Sequence, residues 1–185
     1  MSEVSLCHSC SWQEFLDFLG KETSTLLNQG TKTSEDLFLE LQEGESILTK
    51  KDNALFRKVS IAKMRIAHPS EQLVLMETAQ FLPKKKIWRH RAILPSEKLQ
   101  QGESAEQAAI RGLKEELEFT CRDHYKITLL GDEHSEGLSS SYNNLKTRYY
   151  AVTFLVIITK NLFKDKYTIE EKDGKISVFE WQREE

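Results

Sequence analysis

The sequence predicts a mixed α/β fold of the α+β kind, and three observations support that prediction. Stretches in which polar and apolar residues alternate, typical of strands, follow one another between residues 57 and 94. A long amphipathic helix is predicted after them, over residues 104–118. More strand-like stretches follow, so that strands flank a central helix. Because 39% of the 185 residues are hydrophobic, the chain can bury one sizeable core.

Two short helices are predicted near the N-terminus. Ser11 is suited to cap the first and Gly20 to end it. Between them, apolar residues recur at helical spacing: Trp12, Phe15, Leu16 and Leu19. The second helix is expected over residues 34–43, after a polar stretch over residues 21–32 in which residues 28–32 are the best candidate for a linker.

The next strands are predicted as a meander. Polar and apolar residues alternate over residues 58–66, and a turn signal at 68–71 precedes the next strand at 72–79. A second turn signal at 83–86 leads into a strand over 87–94. The first two strands are therefore expected to form a hairpin.

An irregular loop is expected over residues 95–102, followed by the helix that begins at Ser104. One face of this helix is apolar and should contact the core, at Ala109, Ile110, Leu113 and Leu117. Arg111 and Glu115 lie one turn apart, so their side chains are expected to form an ion pair.

The rest of the chain predicts strands over residues 126–130, 147–158 and 177–181, with a polar loop over 135–144 and a turn signal at 173–174. Together, the predicted elements divide the chain into two parts. We expect a helical N-terminal extension over residues 1–50 and a main domain over residues 51–185.

Composition argues against several classes of protein. The net charge of −3 disfavours a globally basic nucleic-acid-binding protein. The longest apolar stretch, over residues 151–158, has the length of a strand and is much shorter than a membrane-spanning helix. The first ten residues resemble neither a secretory signal nor a mitochondrial presequence. Three cysteines, an odd number, indicate a reducing compartment, and we expect the cytoplasm.

Candidate chemistry is concentrated around the helix over residues 104–118. Glu115 and Glu116 lie on the helix, and Glu103 precedes its first residue. Carboxylate oxygens suit hard divalent cations such as Mg²⁺. The alternative is a solvated acidic face, which is common on helices, and the helix by itself favours that alternative.

Residues 97–119 resemble the Nudix box. In that pattern a glycine, five residues, a glutamate, seven residues, Arg-Glu, an apolar residue, any residue, Glu-Glu, any residue, a glycine and an apolar residue follow one another. The spacing is kept here without a gap, and these residues occupy matching positions: Glu103, Ala108, Ala109, Arg111, Leu113, Glu115, Glu116 and Phe119. The resemblance implies the Nudix-type α/β/α sandwich with a mixed β-sheet.

The sequence also departs from the box. The first glycine of the box is Glu97, the last is Glu118, and the glutamate that should follow Arg111 is Gly112. In the family, that glutamate and the second of the Glu-Glu pair share a metal ion. A glycine within a helix also costs about 1 kcal/mol relative to alanine. Gly112 either allows close packing or reflects relaxed selection for catalysis.

Nudix enzymes hydrolyse nucleoside diphosphates linked to another group, and the resemblance implies a role for each matching residue. Glu115 and Glu116 would be catalytic metal ligands, Glu103 an accessory ligand, and Arg111 the catalytic partner that orients Glu115. The implied cofactor is Mg²⁺ or Mn²⁺, bound weakly because one carboxylate is missing, with no organic cofactor. Since a misplaced reactant costs about a hundredfold in rate, we expect weak or absent hydrolysis.

Two further features each have a functional and a structural interpretation. Residues 84–91 place Arg89 and Arg91 on one face of a strand. These arginines either bind phosphate, which suits the guanidinium group, or belong to an ordinary basic turn and strand. Tyr142 either stacks on a base in the substrate pocket or anchors its loop.

Two classes of function follow. The first is a weak or silent Nudix module, a pseudoenzyme or scaffold that binds a nucleotide or a protein partner. Its N-terminal helices either dock a partner or cover the chain's own sheet. The alternative is a divergent Mg²⁺-dependent pyrophosphohydrolase. Gly112 favours the first class, and the retained Glu115 and Glu116 favour the second. Neither a membrane nor a nucleic acid is expected as a partner.

Overall fold

The computed structural model describes residues 3–29, 32–52, 54–68, 72–83, 85–171 and 174–183. Within them the chain adopts a mixed α+β fold, which confirms the predicted fold class. The strands are β1 (Val4–Leu6), β2 (Ile47–Lys51), β3 (Ala54–Ala67), β4 (Leu73–Leu82), β5 (Ile87–Ile93), β6 (Ser96–Lys98), β7 (Tyr125–Leu138), β8 (Lys146–Ile158), β9 (Lys166–Glu170) and β10 (Ile176–Arg183). The helices are α1 (Trp12–Leu19), α2 (Lys21–Leu27), α3 (Ser34–Gln42) and α4 (Ala105–Leu117), with a 3-10 turn at Arg122–His124.

The chain forms two compact units, each of which draws on three stretches of sequence. Unit 1 comprises Met1–Ile61, Lys98–Ser104 and Asp132–Ala151. Unit 2 comprises Ala62–Glu97, Ala105–Gly131 and Val152–Glu185. Strands β3, β6, β7 and β8 contribute residues to both units. The division expected between residues 50 and 51 falls inside unit 1 and stays a prediction.

Side-chain caps determine where two helices of unit 1 begin. The Ser11 hydroxyl accepts a hydrogen bond from the Glu14 amide at 3.2 Å, and the Glu14 carboxylate accepts one from the Ser11 amide at 2.7 Å. Thr33 and Asp36 form the same capping box on α3. Gly20 follows α1 with φ of 80°, a left-handed conformation that favours glycine. The predicted start and end of α1 are confirmed.

Apolar side chains from the three helices, β2 and the loop before β8 form the core of unit 1: Phe15, Leu19, Leu27, Leu37, Leu41, Leu48, Tyr142 and Leu145. The Trp12 ring stacks on that of Phe15 with centroids 5.2 Å apart. The N-terminal helices thus cover strands of their own unit, which is one of the two roles that the sequence predicts for them.

Helix α2 lies within the polar stretch over residues 21–32, where the sequence predicts no helix. The helix is rich in Ser and Thr, whose side chains compete for backbone hydrogen bonds. Thr25 Oγ1, for example, donates to the Lys21 carbonyl oxygen at 3.0 Å. Leu27 is fully buried in the core of unit 1. Burial of this apolar end therefore outweighs a weak local helix propensity.

A buried carboxylate, that of Glu40 on α3, gathers three cations in unit 1. Its oxygens lie 2.6 Å from Lys32 Nζ, 2.6 Å from Arg57 Nη2 and 2.7 Å from Lys98 Nζ. Burial alone would raise the pKa of Glu40, but the three cations outweigh it and lower the pKa to about 2. This cluster fixes the end of β6 within unit 1, because Lys98 is the last residue of that strand.

In unit 2, strand β4 pairs antiparallel with β10 on one side and with β5 on the other. Phe81 of β4 faces Trp88 of β5 in the register, and a bulge interrupts this pairing between Glu77 and Ala79. A bulge redirects the side chains beside it, and here it lies at a glutamate. The strands predicted in this region are confirmed as β4, β5 and β10.

Two predicted loops contain regular structure. Strand β6 forms within the stretch predicted to be irregular, where the Met64 amide donates to the Pro95 carbonyl oxygen at 2.8 Å. Strand β7 continues to Leu138, beyond the predicted start of the polar loop. The predicted turns at 68–71, 83–86 and 173–174 each include residues that lie outside the described part of the chain.

Two further findings concern the helices and the cysteines. Across the described residues, no helix has both the length and the apolar character needed to cross a membrane. Cys7, Cys10 and Cys121 are free thiols.

Candidate functional site

Helix α4 carries most of the residues that match the Nudix box, and it belongs to unit 2. Its buried face consists of Ala108, Ala109, Gly112, Leu113 and Leu117. Ile110, which the sequence also assigns to the core, is half-buried. Glu115 is exposed, whereas Arg111 and Glu116 are half-buried at the border between the two faces.

Gly112 allows a neighbouring strand to lie close to the helix. A Cβ atom at this position would be 2.9 Å from Glu97 Cβ, closer than real Cβ contacts allow, and 3.0 Å from Met64 Cε, tighter than most such contacts. Glu97 belongs to β6 and Met64 to β3. Of the two explanations that the sequence leaves open for the glycine, the packing supports close approach.

Arg111 holds two carboxylates at this border. Its Nη1 lies 3.4 Å from Glu115 Oε2, so the contact predicted from their spacing is present. The same Nη1 lies 3.1 Å from Glu97 Oε1. The Glu97 side chain is only 15% exposed, so this second ion pair is the more shielded from water and the stronger of the two.

Glu116 lies one turn after Gly112 and is half-buried. Burial and, after it, the nearby carboxylate of Glu97 raise the pKa of Glu116 to about 8. Lys175 opposes this shift, while Glu77 and Glu171 add to it. Without a cation, the Glu116 side chain therefore retains a proton at neutral pH. Unit 2 thus contains a group of carboxylates that repel one another.

A polar network on strands β4 and β5 lies in the same unit. Glu77 is only 6% exposed, and its Oε2 lies 3.3 Å from Arg91 Nε. Burial raises the pKa of Glu77, although Arg91 and Arg89 act against the rise. Gln80 accepts hydrogen bonds from Arg89 Nη2 at 2.8 Å and Arg91 Nη1 at 3.2 Å. The two arginines share one face of β5, as the sequence predicts.

One donor in this network is not used. Arg89 Nε is buried and has no hydrogen-bond partner among the described residues. An unpaired buried donor on a guanidinium costs free energy unless an acceptor reaches it. This N–H can therefore donate a hydrogen bond to an anionic ligand at little further desolvation cost.

Lys175, just before β10, supplies another cation that the sequence analysis misses. Its Nζ forms an ion pair with Glu171. Burial would lower the pKa of Lys175, but the hydrogen bond to Glu171 and the charges of Glu116 and Glu77 raise it. Lys175 therefore remains charged and partly offsets the acidic group.

The sequence contains different signals for these missed residues. Glu77 and Gln80 interrupt an apolar strand at buried positions, which is a detectable pattern. Glu97 is visible only as a departure from the box. No local pattern indicates Lys175, because only the pairing of β10 with β4 brings it close to the carboxylates of Glu77 and Glu116.

Glu118, where the box has its last glycine, ends α4 with φ of 60°. This left-handed conformation is the one that glycine adopts most easily. The Phe119 amide then donates to the Leu113 carbonyl oxygen at 2.9 Å, which closes the helix. Glu118 thus has a backbone conformation that suits the glycine of the box better than a glutamate.

Two of the predicted site residues belong to unit 1. Glu103 accepts a hydrogen bond from the Gln100 amide at 2.9 Å. The Tyr142 ring is fully buried in the core of unit 1, with the Arg57 guanidinium 5.1 Å from its centroid. No face of this ring is open for stacking on a base. The structure therefore corrects the substrate-pocket prediction for Tyr142 and favours the alternative, a loop anchor.

The carboxylates of unit 2 have the right chemistry for a hard cation, but they are few. In the part of the chain that the structure describes, no three His, Cys, Asp or Glu side chains are placed to hold one metal ion. Mg²⁺ often uses only one or two carboxylates and completes its shell with water and substrate phosphate. Glu116, with Glu97 beside Gly112, fits that smaller requirement.

The comparisons with known proteins concern the same region. A family model described as the NUDIX domain matches residues 57–185. No curated protein matches the chain. A crystal structure of the Ap4A hydrolase of C. elegans is similar over 67% of this chain and 79% of that one, with 16% sequence identity and a TM-score of 0.35.

Proposed function

This chain belongs to the Nudix family, and on that premise we propose that it binds nucleoside diphosphate derivatives and hydrolyses them weakly or not at all. Binding would occur in unit 2, at the carboxylates near α4 and the arginines of β5. Its role would be that of a nucleotide-binding module rather than an efficient enzyme.

The observation that carries the proposal is the packing at Gly112. The Nudix box places a glutamate there, one turn before Glu116, but Glu97 fills the adjacent space in this chain. The helix therefore presents one half-buried carboxylate, that of Glu116, where the family pattern has two. Hydrolysis of a diphosphate needs an attacking water held in line, and a small displacement costs about a hundredfold in rate.

The arginines of β5 support binding of phosphate. Arg89 and Arg91 lie side by side on Gln80, and Arg89 Nε is a buried donor without a partner. A guanidinium matches two phosphate oxygens at once. Positive charge from these side chains would offset the negative charge of a diphosphate near the carboxylates.

A divalent cation, Mg²⁺ or Mn²⁺, would neutralise the diphosphate oxygens and activate water when bound. Glu116 would hold it, with Glu115 as a second candidate from the resemblance. Arg111 would orient both Glu115 and Glu97, since it contacts each of them. The accessory role of Glu103 stays a prediction.

The alternative function is that of a Mg²⁺-dependent pyrophosphohydrolase, and the retained Glu115, Glu116 and Arg111 favour it. Binding of a protein partner through the N-terminal helices has less support. The residues that would dock a partner are Trp12, Phe15 and Phe18; Phe15 is buried within unit 1 and Phe18 is half-buried, and only Trp12 is exposed. The free thiols agree with a reducing compartment, and we propose the cytoplasm.

The test is calorimetric titration with ADP-ribose and UDP-glucose, with and without Mn²⁺, together with chromatography of the products. We expect saturable binding that Arg89→Gln weakens about tenfold, as expected for one lost charge-assisted contact. The matched control is Arg183→Gln, because Arg183 is exposed at the end of β10. Rapid product formation that Glu116→Gln abolishes would establish the alternative. Binding unaffected by Arg89→Gln would contradict the proposed site.

A further inference from the structure

We infer that Glu97 and Gly112 are a reciprocal exchange, in which strand β6 supplies the carboxylate that the Nudix box places on the helix. Glu97 would then be the second carboxylate of a divalent-cation site, together with Glu116. The inference rests on the proposed function, because it names a ligand of that same site.

The first argument is one of space. A side chain at position 112 would begin 2.9 Å from Glu97 Cβ and 3.4 Å from Glu97 Cγ. Positions 97 and 112 therefore cannot both carry a long side chain in this packing. Only one long side chain fits beside the helix at this point, and it is that of Glu97 on β6.

The second argument is one of direction. Residues 112 and 116 lie one turn apart on the same side of the helix, so a side chain packed against Gly112 is also next to Glu116. The Glu97 carboxylate reaches Arg111 Nη1 at 3.1 Å, on the neighbouring helix position. Glu97 is therefore held by an ion pair against the helix, within one turn of Glu116.

The third argument comes from the two box positions themselves. Glu97 stands where the box has a glycine, and Gly112 stands where it has a glutamate. Each departure alone would be unfavourable. Glu97 opposite a glutamate at position 112 would crowd the helix, and Gly112 without Glu97 would leave Glu116 without a second carboxylate. Together they preserve both the volume and the number of carboxylates.

Two carboxylates from different elements are enough for Mg²⁺ or Mn²⁺, which complete their shells with water and phosphate oxygens. The second carboxylate now comes from a strand instead of from the same helix. This arrangement supports cation binding while changing the direction from which the ligand approaches. It thereby accounts for a site that binds but hydrolyses poorly.

The experiment measures binding of Mn²⁺ alone by electron paramagnetic resonance, with no nucleotide present. We expect Glu97→Gln to weaken Mn²⁺ binding at least tenfold, as loss of one of two carboxylates should. The double variant Glu97→Gly with Gly112→Glu should recover the wild-type affinity. The control is Glu106→Gln, because Glu106 is an exposed glutamate in the first turn of the same helix.

Thermal unfolding of the same variants provides a second readout. Gly112→Glu alone should lower Tm, because the new side chain meets Glu97, and the added Glu97→Gly change should reverse this loss. Wild-type Mn²⁺ affinity in Glu97→Gln would overturn the inference, and so would equal destabilisation by Gly112→Glu in both backgrounds. If nucleotides fail to bind while these Mn²⁺ results hold, the proposed function fails and the exchange stands.

Discussion

At the scale of single residues, Glu40 makes the clearest prediction about pH. Its pKa is about 2 in the folded chain, below the ordinary value near 4.3 of an unfolded glutamate. The stabilisation is therefore complete above the unfolded pKa and is lost as pH falls toward 2. Glu40→Gln leaves three cations without their carboxylate and should cost about 3 kcal/mol at pH 7.

The measurement is urea unfolding of Glu40→Gln and the wild type between pH 7 and pH 3. The difference in the free energy of unfolding should stay constant from pH 7 to about pH 5 and shrink as the pH falls below about 4.3. Glu43→Gln serves as the control, because Glu43 is exposed just after the same helix. A difference that does not change with pH would show that the cations do not stabilise through the Glu40 charge.

Glu116 predicts the opposite dependence. Its pKa is raised to about 8, so its charged form is unfavourable in the folded chain. The resulting loss of stability is absent below the unfolded pKa and grows as pH rises from about 4.3 to 8. Glu116→Gln should therefore be more stable than the wild type at pH 9, without metal, and nearly equal at pH 4.

Thermal unfolding in the presence of a chelator, at pH 4 and pH 9, checks this expectation. Glu115→Gln is the control, because the Glu115 side chain is 59% exposed and should change Tm little at either pH. A Glu116→Gln variant less stable than the wild type at pH 9 would contradict the account of repelling carboxylates.

The sequence predicts residue contacts well where local geometry fixes them. The Arg111–Glu115 pair and the shared face of Arg89 and Arg91 follow from helical and strand periodicity. Glu97 is different, because its position against Gly112 depends on how β6 packs beside α4. Periodicity within one element contains no information about that approach.

At the scale of elements, the end of α4 yields a prediction. Glu118 has φ of 60°, which costs a residue with a side chain about 1 kcal/mol relative to glycine. Its ion pair with Lys164, at 3.9 Å and exposed on both sides, contributes little. Glu118→Gly should therefore raise Tm by about 2–4 °C.

Differential scanning calorimetry tests this prediction, with Lys114→Gly as the comparison. Lys114 is exposed within the same helix, where glycine costs about 1 kcal/mol. The two glycine substitutions should thus move Tm in opposite directions. A decrease for both would mean that the left-handed residue does not strain the end of the helix.

The elements that the sequence predicts are those with strong local signals. Capping residues and apolar periodicity indicate α1, α3 and α4, and alternation indicates β3, β4, β5 and β8. Strands β1, β2 and β9 are short, at three to five residues, and two of them are mostly exposed. They are ordered by pairing with a neighbour, as β1 is with β2, and a sequence window does not show the neighbour.

At the scale of the whole molecule, the family match and the compact units divide the chain differently. The match covers residues 57–185, whereas unit 1 combines the N-terminal residues with two later stretches. The sequence predicts the fold class because strands flank one central helix. It does not predict that the residues before the match share a core with Tyr142 and Leu145, because those contacts are distant along the chain.

The central claim is that the chain binds a nucleoside diphosphate derivative without efficient hydrolysis. One titration with ADP-ribose in Mn²⁺, followed by chromatography of the same sample, tests both halves of the claim. The account predicts saturable binding and a rate of product formation at least about a hundredfold below that of the Glu97→Gly, Gly112→Glu double variant. Rapid hydrolysis by the wild type, or no binding at all, would contradict it.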